Sequence, residues 1–586
     1  MVVREFLRKY GWLYIPGLIF LALNSYIQSL SPSALGDAID ILSESSPDHE
    51  RLIRQALIIA AIGAGVFAAR FIWRLFIIGN ARRMECFLRE KLYLKLQSLP
   101  LSFFQKQTSG DLMAYAINDV GAVRMTFGPV LAQSFDGIIV AALSIWGMIR
   151  EVDIRMTLLA LAPVPFAAAA TIILGNQVQK RFGRVQTLFS KLSGFVNESI
   201  GGIKVTKAFA KESVREKDFA AISDDMREAN VNLAKASSLI NPAVTASFGL
   251  SYAVALIAGG NAVMSGSMGA GTLVTFLGYL LLVQNPIVQL GNIINRIQRG
   301  LASYKRLNAI FVEDAIPEFD SHYDKAIAEH FVPEIKADNL KYRYEGAPDN
   351  ALGGVSFDIK PGHSLGISGS TGSGKTTLLS LIAKLRLPSD GRLTISGLDI
   401  SKIPAYTLRT KIGYVPQDGF LFSATIAENI ALGSDTIDMD RVRECARIAC
   451  IADEIEKFPD GYNTEVGERG THLSGGQKQR VSLARALYSN PTLLLLDDTL
   501  SAVDNITEKR LIESLGLNRS NSENARPITK IIISHRLSAL VHCDEIIHLE
   551  NGVVVERGTH EELLKQNGAY ASTWYKQEHD NSADDK

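Results

Sequence analysis

Cysteine is scarce in this chain, and the little there is carries no pattern. The 586 residues include four cysteines, Cys86, Cys445, Cys450 and Cys543, with no CxxC pair and no histidine at metal-ligand spacing beside them. Neither a zinc site nor a disulfide framework is indicated, and the thiols read as reduced and structural. An excess of charge is also missing, since Lys plus Arg number 61 and Asp plus Glu 61. Without a net basic field, no nucleic acid partner is expected, and acidic lipid is not the main one. The opening stretch MVVREFLRKYGWLYIPG lacks a small-residue cleavage site after a short apolar core, and it lacks the Arg- and Ser-rich pattern of an organelle presequence. It reads as a retained first helix.

Apolar residues are what the chain has in plenty: they make up 47% of it, and the mean hydropathy is +0.11. Crossing about 30 Å of hydrocarbon takes roughly 20 apolar helical residues. Six segments come close, near 12–34, 55–78, 129–149, 155–175, 243–264 and 271–293. The short acidic link with Glu44, Asp48 and Glu50, and the uncharged SGSMGAG, are expected outside the cell. The stretches 80–127 and 176–240, with Arg82, Arg83, Arg89, Lys180, Arg181 and Arg184, are expected in the cytosol by the positive-inside bias. Both have few Gly or Pro and keep apolar residues at helical spacing, so they read as helical arms continuing beyond the bilayer. The pattern predicts a transmembrane domain over 1–302.

Arg70 and Arg74, four apart and so on one helix face, and Asp136 lie near membrane depth, where unpaired charge is expensive. Two readings stay open, a polar lining of a substrate cavity and an interhelical ion pair near the inner leaflet. Asn24, Gln28, Gln284 and Asn285 share that ambiguity. Pro286, which lacks a backbone donor, marks a place where the sixth segment can kink.

Past residue 300 the hydropathy falls. A linker is expected over 303–330, a soluble domain over 331–576 and a disordered acidic tail over 577–586. Within the soluble domain the strand-like runs SLGISG, TLLLLDD and ITKIIISH alternate with helical stretches, the pattern of a parallel sheet flanked by helices.

The run Gly369, Ser370, Thr371, Gly372, Ser373, Gly374, Lys375, Thr376 fits the phosphate loop GxxxxGK[ST], and it sits between a strand-like run and the helix-like stretch opening at Thr377. Its glycines let backbone amides wrap phosphates, the helix start adds a positive dipole, Lys375 reaches the terminal phosphates and Thr376 holds magnesium. Leu493 to Leu496 followed by Asp497 reads as a buried strand ending in a carboxylate for magnesium or its waters. The cofactors expected are ATP and Mg2+.

Many NTPases share those two elements. Leu473-Ser474-Gly475-Gly476-Gln477 is more specific, because it resembles the LSGGQ signature of ABC transporters. Further residues resemble that family in the right order: Tyr344 as the adenine-stacking aromatic, Gln417 as the Q-loop glutamine that also meets magnesium, Ser501, Ala502, Val503 and Asp504 as the D-loop, and His535 as the switch histidine. In the first half, Gly110 to Val120 and Glu198 to Phe209 resemble exporter coupling segments, and the stretch TEVGERG before the signature would relay closure to them. The resemblance implies a multidomain membrane protein. A six-helix all-α transmembrane domain with long cytosolic helical extensions is followed by an α/β nucleotide-binding domain with a phosphate-loop parallel-sheet core, an antiparallel β-subdomain and a helical signature subdomain. It implies a bacterial cytoplasmic (inner) membrane location with the ATP-binding domain in the cytosol. It also implies a dimer, since in this family the signature caps ATP held by the opposing domain and this chain has a single phosphate loop.

One residue departs from the family. Active members follow the strand-end aspartate with Glu, which polarises the attacking water, whereas here Asp498 follows Asp497. Asp498 is one methylene shorter, and a displaced base costs roughly 10²- to 10⁴-fold in rate, or about 3 to 5 kcal/mol. Because the signature, Lys375, Gln417 and His535 are intact, the loss is selective. This resembles the degenerate-site subunit of bacterial heterodimeric multidrug exporters, with a partner half-transporter that keeps the Glu and with membrane lipid and amphipathic small molecules as further partners. The alternatives are an active homodimer, lipid or peptide export, and an ATP-binding regulator that moves no solute.

Overall fold

The computed structural model describes residues 2–44, 48–313, 323–467, 470, 472–501, 503–516 and 528–584, with side chains to 579. Two compact units divide the chain, Met1–Gln97 with Thr108–Glu313 and Ser98–Gln107 with Asp314–Lys586.

The first unit has six helical spans long and apolar enough to cross a membrane: α1 (Val2–Ser43), α2 (His49–Gln97), α3 (Ser109–Glu151), α4 (Ile154–Gly201), α5 (Glu212–Met264) and α6 (Ala270–Val312). At 49 residues and about 1.5 Å per residue, α2 is more than twice as long as the ~30 Å hydrocarbon core demands. The helical arms are therefore present. Each breaks at its tip, however, where the spacing predicted continuation. Pro100 precedes a short helix, Leu101–Lys106, and a capping box between Thr108 and Asp111 opens α3. Gly202 closes α4 and a second short helix, Ile203–Ala208, follows. These are local capping events that hydrophobic periodicity does not register.

Ion pairs tie the arms of the first unit together. Buried Glu85 on α2 meets Arg82 at 2.9 Å, Arg89 at 2.8 Å and, from α3, Arg124 at 3.3 Å. Asp119 of α3 pairs with Arg306 of α6. At the other end α1 and α6 meet through glycine, as small residues allow in membrane helices. A Cβ on Gly36 would fall 2.5 Å from the Gly271 carbonyl oxygen, and Asp40 accepts from the Gly271 N–H at 2.7 Å. The α6 helix continues through Pro286 to Val312, past the boundary expected at 302.

The second unit carries two sheets. Strands β1 (Ile335–Tyr342), β2 (Leu352–Ile359), β4 (Asp390–Ile395) and β5 (Leu398–Asp399) form an antiparallel sheet ordered β2-β1-β4-β5. Strands β3 (Ser364–Gly369), β6 (Ile412–Val415), β7 (Leu493–Asp497), β8 (Thr529–Ile533), β9 (Glu545–Glu550) and β10 (Val553–Gly558) form a sheet ordered β10-β9-β3-β8-β7-β6, parallel except for the β9–β10 hairpin. Lying between β8 and β6 and covered on both faces, β7 needs an unbroken apolar run, and Leu493 to Leu496 are all fully buried. Helix α7 (Lys375–Ile382) follows β3, and α8 (Gly475–Tyr488) belongs to a helical part whose apolar faces share a core with β7. The predicted fold class is the observed one. In the tail expected to be disordered over 577–586, helix α9 (Ala569–Asp584) continues to Asp584, and residues 585–586 lie outside the described residues. Gln577 explains part of this, because it is bonded into the domain, accepting from the Leu537 N–H at 3.0 Å.

Candidate functional site

Between β3 and α7 the backbone turns through conformations that only glycine adopts easily. Gly369 has φ 144° and Gly374 φ 98°. A Cβ at Gly369 would lie 2.2 Å from the Leu549 carbonyl oxygen, and at Gly374 2.6 Å from that of Ala351. Lys375 is buried by this loop, its Nζ donating to the carbonyls of Gly369 at 2.8 Å and Ser370 at 2.7 Å. Burial lowers its pKa, against the upward pull of Asp498 and Asp497. The buried Ser373 hydroxyl has no partner among the described residues.

Asp497 ends β7 beside the loop. Its Oδ1 accepts from Thr376 Oγ1 at 3.2 Å, while Oδ2 is buried with no hydrogen-bond partner among the described residues. Burial pushes the Asp497 pKa up, a shift opposed by the Thr376 bond. An orphaned buried carboxylate oxygen beside a threonine hydroxyl and a loop of amide donors fits a magnesium–triphosphate group. A cavity of about 310 Å3 joins these residues to Tyr344, Thr371, Gly372, Thr377, Gln417, Asp498 and His535. The residues expected as phosphate loop, strand end, Q-loop glutamine and switch histidine thus line one cavity.

Tyr344 meets the loop directly, its hydroxyl 2.9 Å from Thr377 Oγ1. Arg386 covers its ring at 4.8 Å from the centroid, and Tyr342 packs edge-on at 5.1 Å. No motif marked Arg386. It lies past the end of α7, far along the chain from the ring it covers, and Lys106, equally unmarked, pairs with Glu345 next to Tyr344 at 2.8 Å.

Asp498 sits in the left-handed region at φ 50°. Its N–H donates to the Ile533 carbonyl at 2.9 Å, and its Oδ1 accepts from the His535 backbone N–H at 3.2 Å. Ser501 donates its hydroxyl to the Asp498 carbonyl at 2.8 Å. Behind His535, Gln577 donates to the His535 carbonyl at 2.7 Å. Sequence pattern missed Gln577 altogether, because a polar residue in an acidic stretch gives no periodic signal.

The signature lies outside this cavity. Ser474 caps α8 in a capping box with Gln477, whose Nε2 reaches Glu454 at 2.8 Å. Ser474 and Gly475 are exposed, Gly476 and Gln477 half-buried, and Leu473 is buried beneath them. In the D-loop Val503 is buried and Asp504 caps the next helix, while Ala502 lies outside the described residues. Glu468 and Arg469 of TEVGERG also lie outside them.

In the first unit, Arg70 and Asp136 line one cavity of about 570 Å3. Asp136 accepts from Ser25 at 2.6 Å, and Arg74 lies over the Trp73 ring at 5.7 Å. No ion pair joins Asp136 to either arginine among the described residues, so the interhelical pair is not the observed arrangement.

Six membrane-spanning helices joined to a phosphate-loop ATPase domain define an ATP-driven membrane transporter. Residues 14–287 match the ABC transporter transmembrane region, and residues 352–501 match the ABC transporter family. The chain is 35% identical, over 98% of its length and 97% of the relative's, to the probable multidrug resistance ABC transporter ATP-binding/permease protein YheI of Bacillus subtilis. It is 33% identical to the multidrug resistance-like ATP-binding protein MdlA of Escherichia coli, over 98% of the chain and 95% of that protein. Identity to the ATP-dependent lipid A-core flippase of Syntrophus aciditrophicus is 30%, over 83% of the chain and 80% of that protein. Among solved structures, a bacterial Atm1-family ABC exporter with ATP bound superposes with a TM-score of 0.78 at 26% identity, covering 97% of this chain and 98% of that one. The chain belongs to the ABC transporter family. It is an integral membrane protein of the cytoplasmic (inner) membrane, with a cytosolic domain that binds ATP and magnesium and hydrolyses ATP to drive export.

Proposed function

We propose that this chain exports amphipathic small molecules as one half of a heterodimer in which its own ATP site is slow. The observation that carries this reading is the carboxylate after Asp497. Where the family places Glu, Asp498 is shorter, and its Oδ1 is engaged by the His535 backbone amide. Phosphoryl transfer depends almost entirely on positioning, so a shorter base in a fixed hydrogen bond slows the step.

Each motif residue then has a part. The phosphate loop from Gly369 to Thr377 and the Tyr344 ring bind ATP. Thr376, Asp497 and Gln417 would hold magnesium, which when bound would neutralise phosphate charge. Lys375 exchanges its loop carbonyls for phosphate oxygens, and His535 and Gln417 meet the terminal phosphate. Ser474 and Gly475 face solvent and Gly476 is half-buried at the start of a 14-residue helix, where they would complete a faster site on a partner with an intact Glu. Support for a second domain also comes from the tip of the second arm, where Val205 and Phe209 are 61% and 70% exposed and so present apolar surface for docking.

Similarity to a lipid A-core flippase favours a second reading, a homodimeric lipid exporter in which Asp498 suffices. Proteoliposomes holding this chain alone, or with its co-expressed partner, separate the two. Drug efflux only with the partner supports the heterodimer, and ATP-driven lipid translocation by the chain alone contradicts it.

A further inference from the structure

The membrane half presents two opposite charges to one cavity without pairing them. Asp136 on α3 has one hydrogen bond among the described residues, from the buried Ser25 hydroxyl of α1. Arg70 on α2 lines the same cavity and makes no hydrogen bond or ion pair among the described residues. Charge at membrane depth persists where it faces a partner or an aqueous cavity. Here each charge faces the cavity, and the carboxylate is bonded to Ser25 and not to the arginine. The rest of the wall is mixed. Gln28 and Asn285 supply amides, and Leu282 and Ile293 supply apolar surface from α6. Pro286 lies inside α6 and has no N–H, which frees the carbonyl one turn before it as a further acceptor. A volume of about 570 Å3 falls within the roughly 300–1,000 Å3 of small-molecule sites.

We propose that this cavity binds zwitterionic amphipaths, with the cationic group at Asp136, the anionic group at Arg70 and the apolar chain along α6. A purely cationic ligand would leave Arg70 uncompensated, and a purely anionic one would leave Asp136 so, whereas a dipolar head satisfies both. This deepens the export reading by naming a substrate class, and it rests on that reading only in treating the cavity as the cargo site. The zwitterion can be a free amphipath or a lipid headgroup, since both carry the same pair of charges.

Equilibrium binding tests it without ATP turnover. The full chain, in nanodiscs of phosphatidylglycerol so that no zwitterionic lipid competes, is titrated with decylphosphocholine, decyltrimethylammonium and decyl sulfate. The zwitterion is expected to bind about tenfold tighter than either singly charged probe, the scale of one charge-assisted contact. Asp136→Asn should abolish that advantage, and Arg70→Gln should shift preference to the cation. A short two-chain phosphatidylcholine added as competitor assigns the site to lipid headgroups if it displaces the probe and to soluble amphipaths if it does not. Equal binding of all three probes by the wild-type chain overturns the proposal, as does a preference unchanged in both variants that still bind ATP. Neither result touches the export reading, which is judged by flux.

Discussion

The His535 backbone N–H donates to the Asp498 carboxylate at 3.2 Å, so the His535 loop and the acid after β7 are one hydrogen-bonded unit. A second clamp holds the other side of that unit, with Gln577 donating to the His535 carbonyl at 2.7 Å and accepting from the Leu537 N–H at 3.0 Å.

Gln577→Ala removes both of the clamp's bonds. Each is worth about 0.5–1.5 kcal/mol, and what is lost is the placement of His535, not the nucleotide pocket. ATP affinity is expected to change little while the slow ATPase rate of this chain purified alone falls about three- to tenfold. Fluorescent-nucleotide binding and steady-state hydrolysis measured on one preparation check this.

Magnesium-dependent nucleotide binding is expected to fade on the acid side earlier than an ordinary aspartate would allow. Burial raises the Asp497 pKa, so this carboxylate takes up a proton at a pH above the usual value of about 3.9, and the proton competes with the cation. On the alkaline side the lowered Lys375 pKa costs the loop its positive charge below the ordinary lysine range, which is centred near about 10.4. The binding difference with and without Mg2+ across pH reports the first limb, and it should vanish at all pH values in Asp497→Asn.

Ser474 has two separable roles. As the cap of α8 it stabilises the helix by about 0.5–2 kcal/mol, and on the proposed function its exposed hydroxyl would serve the partner's site. Ser474→Thr keeps a capping hydroxyl but adds a methyl to the exposed start of the signature, and Ser474→Ala loses both roles. Both variants are expected to retain ATP binding on this chain. Co-assembled hydrolysis should fall in both, and thermal stability only in the alanine variant.

The α1–α6 seam tolerates no side chain at Gly36. A methyl there would lie 1.9 Å from Thr275 Oγ1 and 2.5 Å from a backbone oxygen, and the threonine can rotate while the backbone must move. Gly36→Ala is expected to cost about 1–3 kcal/mol, seen as a lower midpoint of thermal unfolding in detergent.

Fold and ATP site were legible in the sequence to different depths. The six spans, the buried leucines of β7 and the phosphate loop each impose a local rule strong enough to survive any tertiary context: enough apolar residues to cross a bilayer, an apolar run where both strand faces are covered, glycine where φ is positive. Tyr344, Gln417 and His535 follow no such rule singly, and their order along the chain carried them. Arg386, Lys106 and Gln577 were illegible, since each acts through a residue far away in sequence. The tail misled because HDNSADDK has the composition of disorder, whereas the bonds of Gln577 and the packing of Tyr570 and Trp574 into the core hold the helix before it. The tips of the arms were missed because a capping box at Thr108 and a terminating Gly202 occupy few residues and leave the surrounding periodicity untouched.

The most direct test is the ATPase rate of this chain purified alone, beside its Asp498→Glu variant. The wild-type chain should hydrolyse slowly, and the added methylene should raise its rate by roughly 10²-fold or more, with ATP affinity unchanged. Rapid hydrolysis by the wild-type chain alone, abolished by Asp498→Asn and not increased by Asp498→Glu, would contradict the slow-site heterodimer.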